Sequence, residues 1–216
     1  MRAKELVTGL ALVLASFAGT VAGVTFGGRV SRRRPTDLHD FSLPKNWSPR
    51  SAGQFLGGRL GGRRVTVFND YQCPRCAELD VALESAMQNG ESLEVRVRHN
   101  PLTRIHPGAF AAAVAAECAA DQGRFAAFHH ALFQHQYLLT DSVLRGLGRE
   151  VGVPNMAAFN ACLSDDRAAR RVRDDTTDAA ELHLQATPAI MIGDSVYFGA
   201  RDAVGIAMLL GRHKRG

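Results

Sequence analysis

The chain has 216 residues, 46% of them hydrophobic and 22% charged, a balance that excludes a disordered chain and fits one ordinary domain with accessory sequence. Its formal charge of +5 does not mark a nucleic-acid binder: residues 29–64 hold nine basic and two acidic residues, whereas 65–216 hold 15 basic and 18 acidic ones. No basic face with interleaved aromatics accompanies that excess.

Leu6 to Gly28 is a run of 23 residues without a charge, long enough to span a bilayer, and Ser16-Phe17-Ala18 or Thr20-Val21-Ala22 offers a signal-peptidase site. Residues 1–28 are therefore expected to be a signal peptide or membrane anchor. Arg29 and Arg32 to Arg34 outnumber Arg2 and Lys4, which by the positive-inside rule places the domain C-terminal to them in the cytoplasm; cysteine usage points the other way. Residues 29–63 carry Pro35, Pro44, Pro49 and the pairs Gly57-Gly58 and Gly61-Gly62, and are expected to form a flexible basic linker suited to anionic headgroups. The segment GGRLGGRR lacks the Lys-Ser/Thr of a phosphate loop.

From Arg64 the pattern becomes that of a domain, 64–216. Val65 to Phe68 is β-branched and aromatic, a short strand. Cys73 to about Asn89 reads as a helix closed by Asn89-Gly90, and Leu93 to Arg98 alternates as a second strand. Residues 107–182 are helical in character, in segments from Gly108 and around 123–137, 141–150, 154–163 and 165–183. Ala189–Ile192 and Val196–Phe198 make a hairpin about Gly193-Asp194, and a last helix runs from about Asp202 to Leu210. The fold class is α/β with a helical insertion, about 103–183.

Cys73-Pro74-Arg75-Cys76 follows a strand and opens a helix, where unpaired backbone N–H groups and the helix dipole favour a thiolate. Pro74 is tolerated in the first turn, and Arg75 is expected to add a cation beside Cys73. Cys76, one turn on, is placed to attack a mixed disulfide at Cys73. A structural zinc site needs four ligands and there is no second CxxC; His129, His130 and His135 are expected on an amphipathic helix in solvated or core-edge roles. No metal is expected. A metallochaperone or redox-sensing module built on the same cysteines is the rival from another class, and Arg75 between them disfavours a bound cation.

The segment Phe68-Asn69-Asp70-Tyr71-Gln72-Cys73-Pro74-Arg75-Cys76 resembles the active-site segment of the DsbA-like branch of the thioredoxin superfamily. The likeness extends through most of 64–211: Arg98 to Leu102 is similar to the end of that family's second strand, and Ala112–Glu117, Gly123-Arg124-Phe125 and His130–Phe133 to its helical insertion. Thr187-Pro188-Ala189-Ile190 resembles its Thr–cis-Pro element, with Ala186 where many relatives have Gly. By spacing alone Pro188 is a proline at the start of a strand, trans in most such places. The resemblance implies instead a cis bond beside the CxxC sulfurs, with Thr187 and Pro188 docking a substrate chain.

The function implied is thiol–disulfide exchange with unfolded or extended thiol-bearing polypeptides, as an oxidant, with a reductase or isomerase of the same fold as the alternative. It implies a membrane quinone-linked reoxidising partner and no cofactor. Cys118 and Cys162 remain, either bridged to each other or two free buried thiols. Bridged, they place maturation in an oxidising compartment, which with the leader argues for an extracytoplasmic domain.

Overall fold

The computed structural model describes residues 41–213; the leader and the start of the basic stretch, 1–40, lie outside the described residues. Six strands form one mixed sheet: β1 (Phe41–Ser42), β2 (Gln54–Gly58), β3 (Arg63–Asn69), β4 (Leu93–His99), β5 (Ala189–Ile192) and β6 (Ser195–Phe198). The helices are α1 (Pro74–Gln88) and α2 to α6 (Ala109–Ala120, Phe125–Gln134, Asp141–Glu150, Met156–Cys162, Asp166–Glu181), with α7 (Ala203–Arg212) last. The sheet order is β1-β6-β5-β3-β4-β2. Only β3 and β4 pair in parallel, joined through α1; every other pairing is antiparallel.

The expected elements are found within a residue or two at most ends, and four of the described helices start on a side-chain cap. Thr140, Asn155 and Asp202 accept from the backbone N–H three residues on, and Asp165 accepts from Arg167 N. These caps satisfy donors that the helix leaves unpaired. The five insertion helices follow β4 without a strand among them. Helix α2 is apolar nearly all round and buried as such, with Ala112, Ala113, Ala115, Ala116 and Ala119 inaccessible. Its small side chains let α3, α5 and α6 pack closely about it. The main core joins Val65, Val67, Val95, Val97 and Ile190 of the sheet to Leu79 and Leu83 of α1 and to Phe128 and Phe159 of the insertion. No described helix is long and apolar enough to cross a membrane.

One expectation is corrected. Residues 41–63, read as part of a flexible linker, form β1 and β2, the two sheet edges. Phe41, Leu43 and Trp47 pack against a second cluster of Phe68, Ala179, Leu182, Leu184, Ala189 and Val196, and Arg50 pairs with Asp178 and Glu181 on α6. Gly58 and Gly62, which suggested looseness, meet a steric demand instead. Gly58 has φ +90°, and a Cβ there would lie 2.2 Å from the Leu93 carbonyl oxygen, so only glycine fits where β2 closes onto β4.

Candidate active site

Strand β3 ends at Asn69, and the turn after it is built on Asp70. The Asp70 side chain, fully buried, accepts from Gln72 N at 2.7 Å, from Leu102 N at 2.7 Å and bonds His106 Nδ1 at 2.9 Å. It thereby ties the turn to the loop after β4. Gln72 continues the tie, its Oε1 accepting from Gly108 N at 2.6 Å. Cys73 follows as the N-cap of α1 in extended conformation, and Pro74 is the first helical residue.

The two cysteines are free, buried thiols with opposed chemistry. A hydrogen bond from the Cys76 thiol, more than any other cause, lowers the Cys73 pKa to about 5; burial opposes it, while the Thr187 side chain and the backbone N–H groups of Cys76 and Arg75 help. Burial, followed by the hydrogen bond and charge of Cys73, pushes the Cys76 thiol up, although Asp70 N–H reaches its sulfur at 3.4 Å. The helix start thus sets a sulfur of lowered pKa beside one of raised pKa. Arg75 differs from expectation: its guanidinium is exposed and paired with Glu78 at 2.5 Å, so the residue acts on Cys73 through its backbone N–H.

The Thr187–Pro188 bond is cis, and the Thr187 carbonyl oxygen lies 3.4 Å from Cys73 Sγ. The structure therefore brings Cys73, Cys76, Pro74, Arg75, Thr187 and Pro188 together. Cys118 and Cys162 lie apart, in α2 and at the end of α5, and form a disulfide.

Sequence reasoning missed a polar cluster behind the cysteines. His129, assigned a solvated or core-edge place, is 2% exposed. Its Nδ1 meets Tyr71 Oη at 3.0 Å and its Nε2 meets Asp80 Oδ1 at 3.0 Å, while His130 Nδ1 meets Asp80 Oδ2 at 2.9 Å. Burial lowers the His129 pKa. Burial also opposes ionisation of Asp80, but His129 and His130 outweigh it and hold the carboxyl below the usual carboxylate range. The Asp80 hydrogen bond raises His130. Donor atoms of these three residues lie within 4.8 Å of one another, close enough to face a single cation; in the structure they bond one another. The signal available in sequence was the spacing Cys76-x-x-x-Asp80, which puts both on one helix face.

A family model described as Thioredoxin matches residues 53–211. Among curated relatives, the Na(+)/H(+) antiporter NhaA 1 of Mycolicibacterium gilvum is 34% identical over 141 residues, 64% of this chain and 23% of the antiporter. That of Salinispora arenicola is 31% identical over 128 residues, 59% and 20%. The chain thus spans less than a quarter of the length of these relatives. Solved structures share the fold: the thiol-disulfide exchange protein alpha-DsbA2 from Wolbachia pipientis has a TM-score of 0.64 at 20% identity, covering 72% of this chain and 84% of that one. Pseudomonas aeruginosa DsbA2 gives 0.60 at 22%, covering 77% and 97%, and a periplasmic thioredoxin-like protein from Salmonella enterica serovar Typhimurium 0.60 at 24%, covering 69% and 83%. With its CPxC segment opening α1, a helical insertion between β4 and β5 and the family model matching most of its length, this chain belongs to the thioredoxin family.

Proposed function

We propose that this protein is a thiol–disulfide oxidoreductase that acts outside the cytoplasm as an oxidant of unfolded or extended thiol-bearing polypeptides. The observation that carries the reading is the asymmetry of the two sulfurs, with Cys73 lowered to about 5 and Cys76 raised. A stabilised thiolate favours the reduced form, so the Cys73–Cys76 disulfide gives up its oxidising equivalents readily. A substrate thiolate attacks Cys73 Sγ, the intramolecular S–S bond breaks, and Cys76 leaves as a thiolate that takes a proton. The substrate's second thiolate then attacks its own sulfur in the mixed disulfide and expels Cys73. The substrate loses two electrons and the protein gains them. Thr187 and Pro188, beside Cys73, form the edge on which an extended chain would lie.

The Cys118–Cys162 bridge supports a home in an oxidising compartment, as does the likeness to a neighbour described as periplasmic. Residues 1–28 would export or anchor the domain, and a membrane quinone-linked partner would reoxidise it. Equilibration with a glutathione buffer tests the direction: a potential near about −120 mV supports the oxidant, and one near about −270 mV makes the protein a reductase. Cys73→Ser should abolish oxidation of a reduced client, and Cys76→Ser should accumulate mixed disulfides. Full activity of the Cys73→Ser protein would end the reading.

A further inference from the structure

Cys76 is buried and held protonated, yet every exchange cycle must move a proton on or off its sulfur. Asp80, one turn further along α1, shares a small cavity with it. Asn69, Cys76, Asp80 and His129 supply the polar wall, and Val67 and Phe133 part of the apolar one. The cavity offers about 10 Å³, enough for a single water, which is stable in such a place only with several polar partners. Asn69 is 3% exposed, and neither its Oδ1 nor its Nδ2 has a hydrogen-bond partner among the described residues. A buried amide left so is costly, and a water between Asn69, Cys76 and Asp80 would relieve it.

Asp80 also connects inside to outside. Its Oδ1 bonds the buried His129, and its Oδ2 bonds His130, whose side chain is 38% exposed. Tyr71 fixes the far nitrogen of His129. The sheet side of the cavity, Val67 and Val97, offers no titratable group.

We propose that Asp80, with His129 and His130, is the proton relay of Cys76, joined to its sulfur through one cavity water. The inference rests on the exchange reading and deepens it. When Cys76 resolves a mixed disulfide, its proton passes by the water to the Asp80–His129 pair and leaves by His130. The Cys76–Cys73 S–S bond forms, the bond from Cys73 to the substrate breaks, and the substrate departs as a thiolate. In the oxidising direction the same path returns a proton to the expelled Cys76 thiolate. The other ionisable groups acting on the cluster are Tyr71, Glu84, His99, Glu117 and Cys73.

The test is the reaction of the reduced protein with an aromatic disulfide that releases a coloured thiolate. One equivalent appears as Cys73 attacks, and a second as Cys76 resolves the adduct. Asp80→Asn should lower the ratio of second- to first-phase rate by about a hundredfold, the low end for acid–base assistance. It should also remove a step in the second phase's pH profile in the histidine range, about 5–8. Asp80→Glu should restore part of both. His130→Gln, at a half-exposed position, decides the matter if Asp80→Asn does not fold, and should slow the second phase at least about threefold. A normal first phase with a second phase unchanged in rate and pH profile overturns the relay alone. Absence of a fast first phase in the wild type overturns the exchange reading and the relay with it. One zinc or copper per chain retained through dialysis by the wild type and lost in Asp80→Asn would overturn the relay in favour of a metal site.

Discussion

The sulfur of Cys73 and the carbonyl oxygen of Thr187 lie 3.4 Å apart although 114 residues separate them. The approach is set by sheet register. Strand β3, which leads into the CxxC turn, pairs with β5, which begins just after Pro188, and Phe68 stands opposite Ala189. A slip of one residue would turn every β5 side chain to the other face and part the two residues. The Thr187 side chain also helps to lower the Cys73 pKa, while its buried Oγ1 has no partner in the resting thiol form among the described residues. Thr187→Val should therefore cost little stability and raise the pH midpoint of Cys73 alkylation. An unchanged midpoint would show that the Thr187 hydroxyl does not act on the sulfur.

The thiolate itself has a pH signature. In the reduced protein Cys73 should be alkylated by iodoacetamide with a midpoint near pH 5, against about 8.5 for a free cysteine. The folded pKa is depressed from 9.0 to about 5, so the stabilisation it gives the reduced form is fully present above pH 9 and is lost as pH falls through 5. Denaturant midpoints of the reduced and oxidised proteins should therefore shift in the reduced form's disfavour between pH 8 and pH 5. A shift in the reduced form's favour on acidification would contradict this sign.

The chemistry of Cys73 to Cys76 was legible because it is local: a strand, a turn, a proline in the first helical turn and two sulfurs one turn apart. The helices of the insertion were legible from their helical composition, beginning with the Ala-rich run after Gly108. What escaped was chemistry shared across long separations. Asp80 and His129 are 49 residues apart, and each alone passes for a polar residue on a helix surface. The alternation of Leu93 to Arg98 gave the strand but not the partners of its polar residues. Arg98 is fully buried against α6, whose Asp175 and Asp178 accept from it. Strand β2 escaped since Gly58, which sequence reads as loosening, answers to the nearby β4 backbone.

Arg98 gives the largest expected loss of stability. Its Nε donates to Asp175 at 2.7 Å and its Nη2 to Asp178 at 2.5 Å, and its guanidinium sits 4.8 Å from the Phe68 ring centroid. Arg98→Met leaves the buried Asp175 without its cation and Asp178 with Arg50 alone, at a cost of about 3–5 kcal/mol. Adding Asp175→Asn and Asp178→Asn should recover part of that loss, since the penalty belongs to stranded charge rather than to missing volume. Urea unfolding of the single and triple variants checks both statements. An additive triple variant would mean the three groups are not one unit.

The Cys118–Cys162 bridge joins α2 to the end of α5 across 44 residues of sequence and lies apart from the redox pair. Closing a loop of that length removes chain entropy from the unfolded state worth about 4 kcal/mol. Both sulfurs are buried, at 1% and 8% exposure, so the double substitution Cys118→Ala/Cys162→Ala leaves apolar positions filled by apolar groups. It should lower the unfolding free energy in urea by that amount without slowing exchange at Cys73, which is held by β3, α1 and β5 instead. Loss of exchange in a variant that still unfolds cooperatively would tie the bridge to the chemistry, and an unchanged urea midpoint would show that the insertion does not need it.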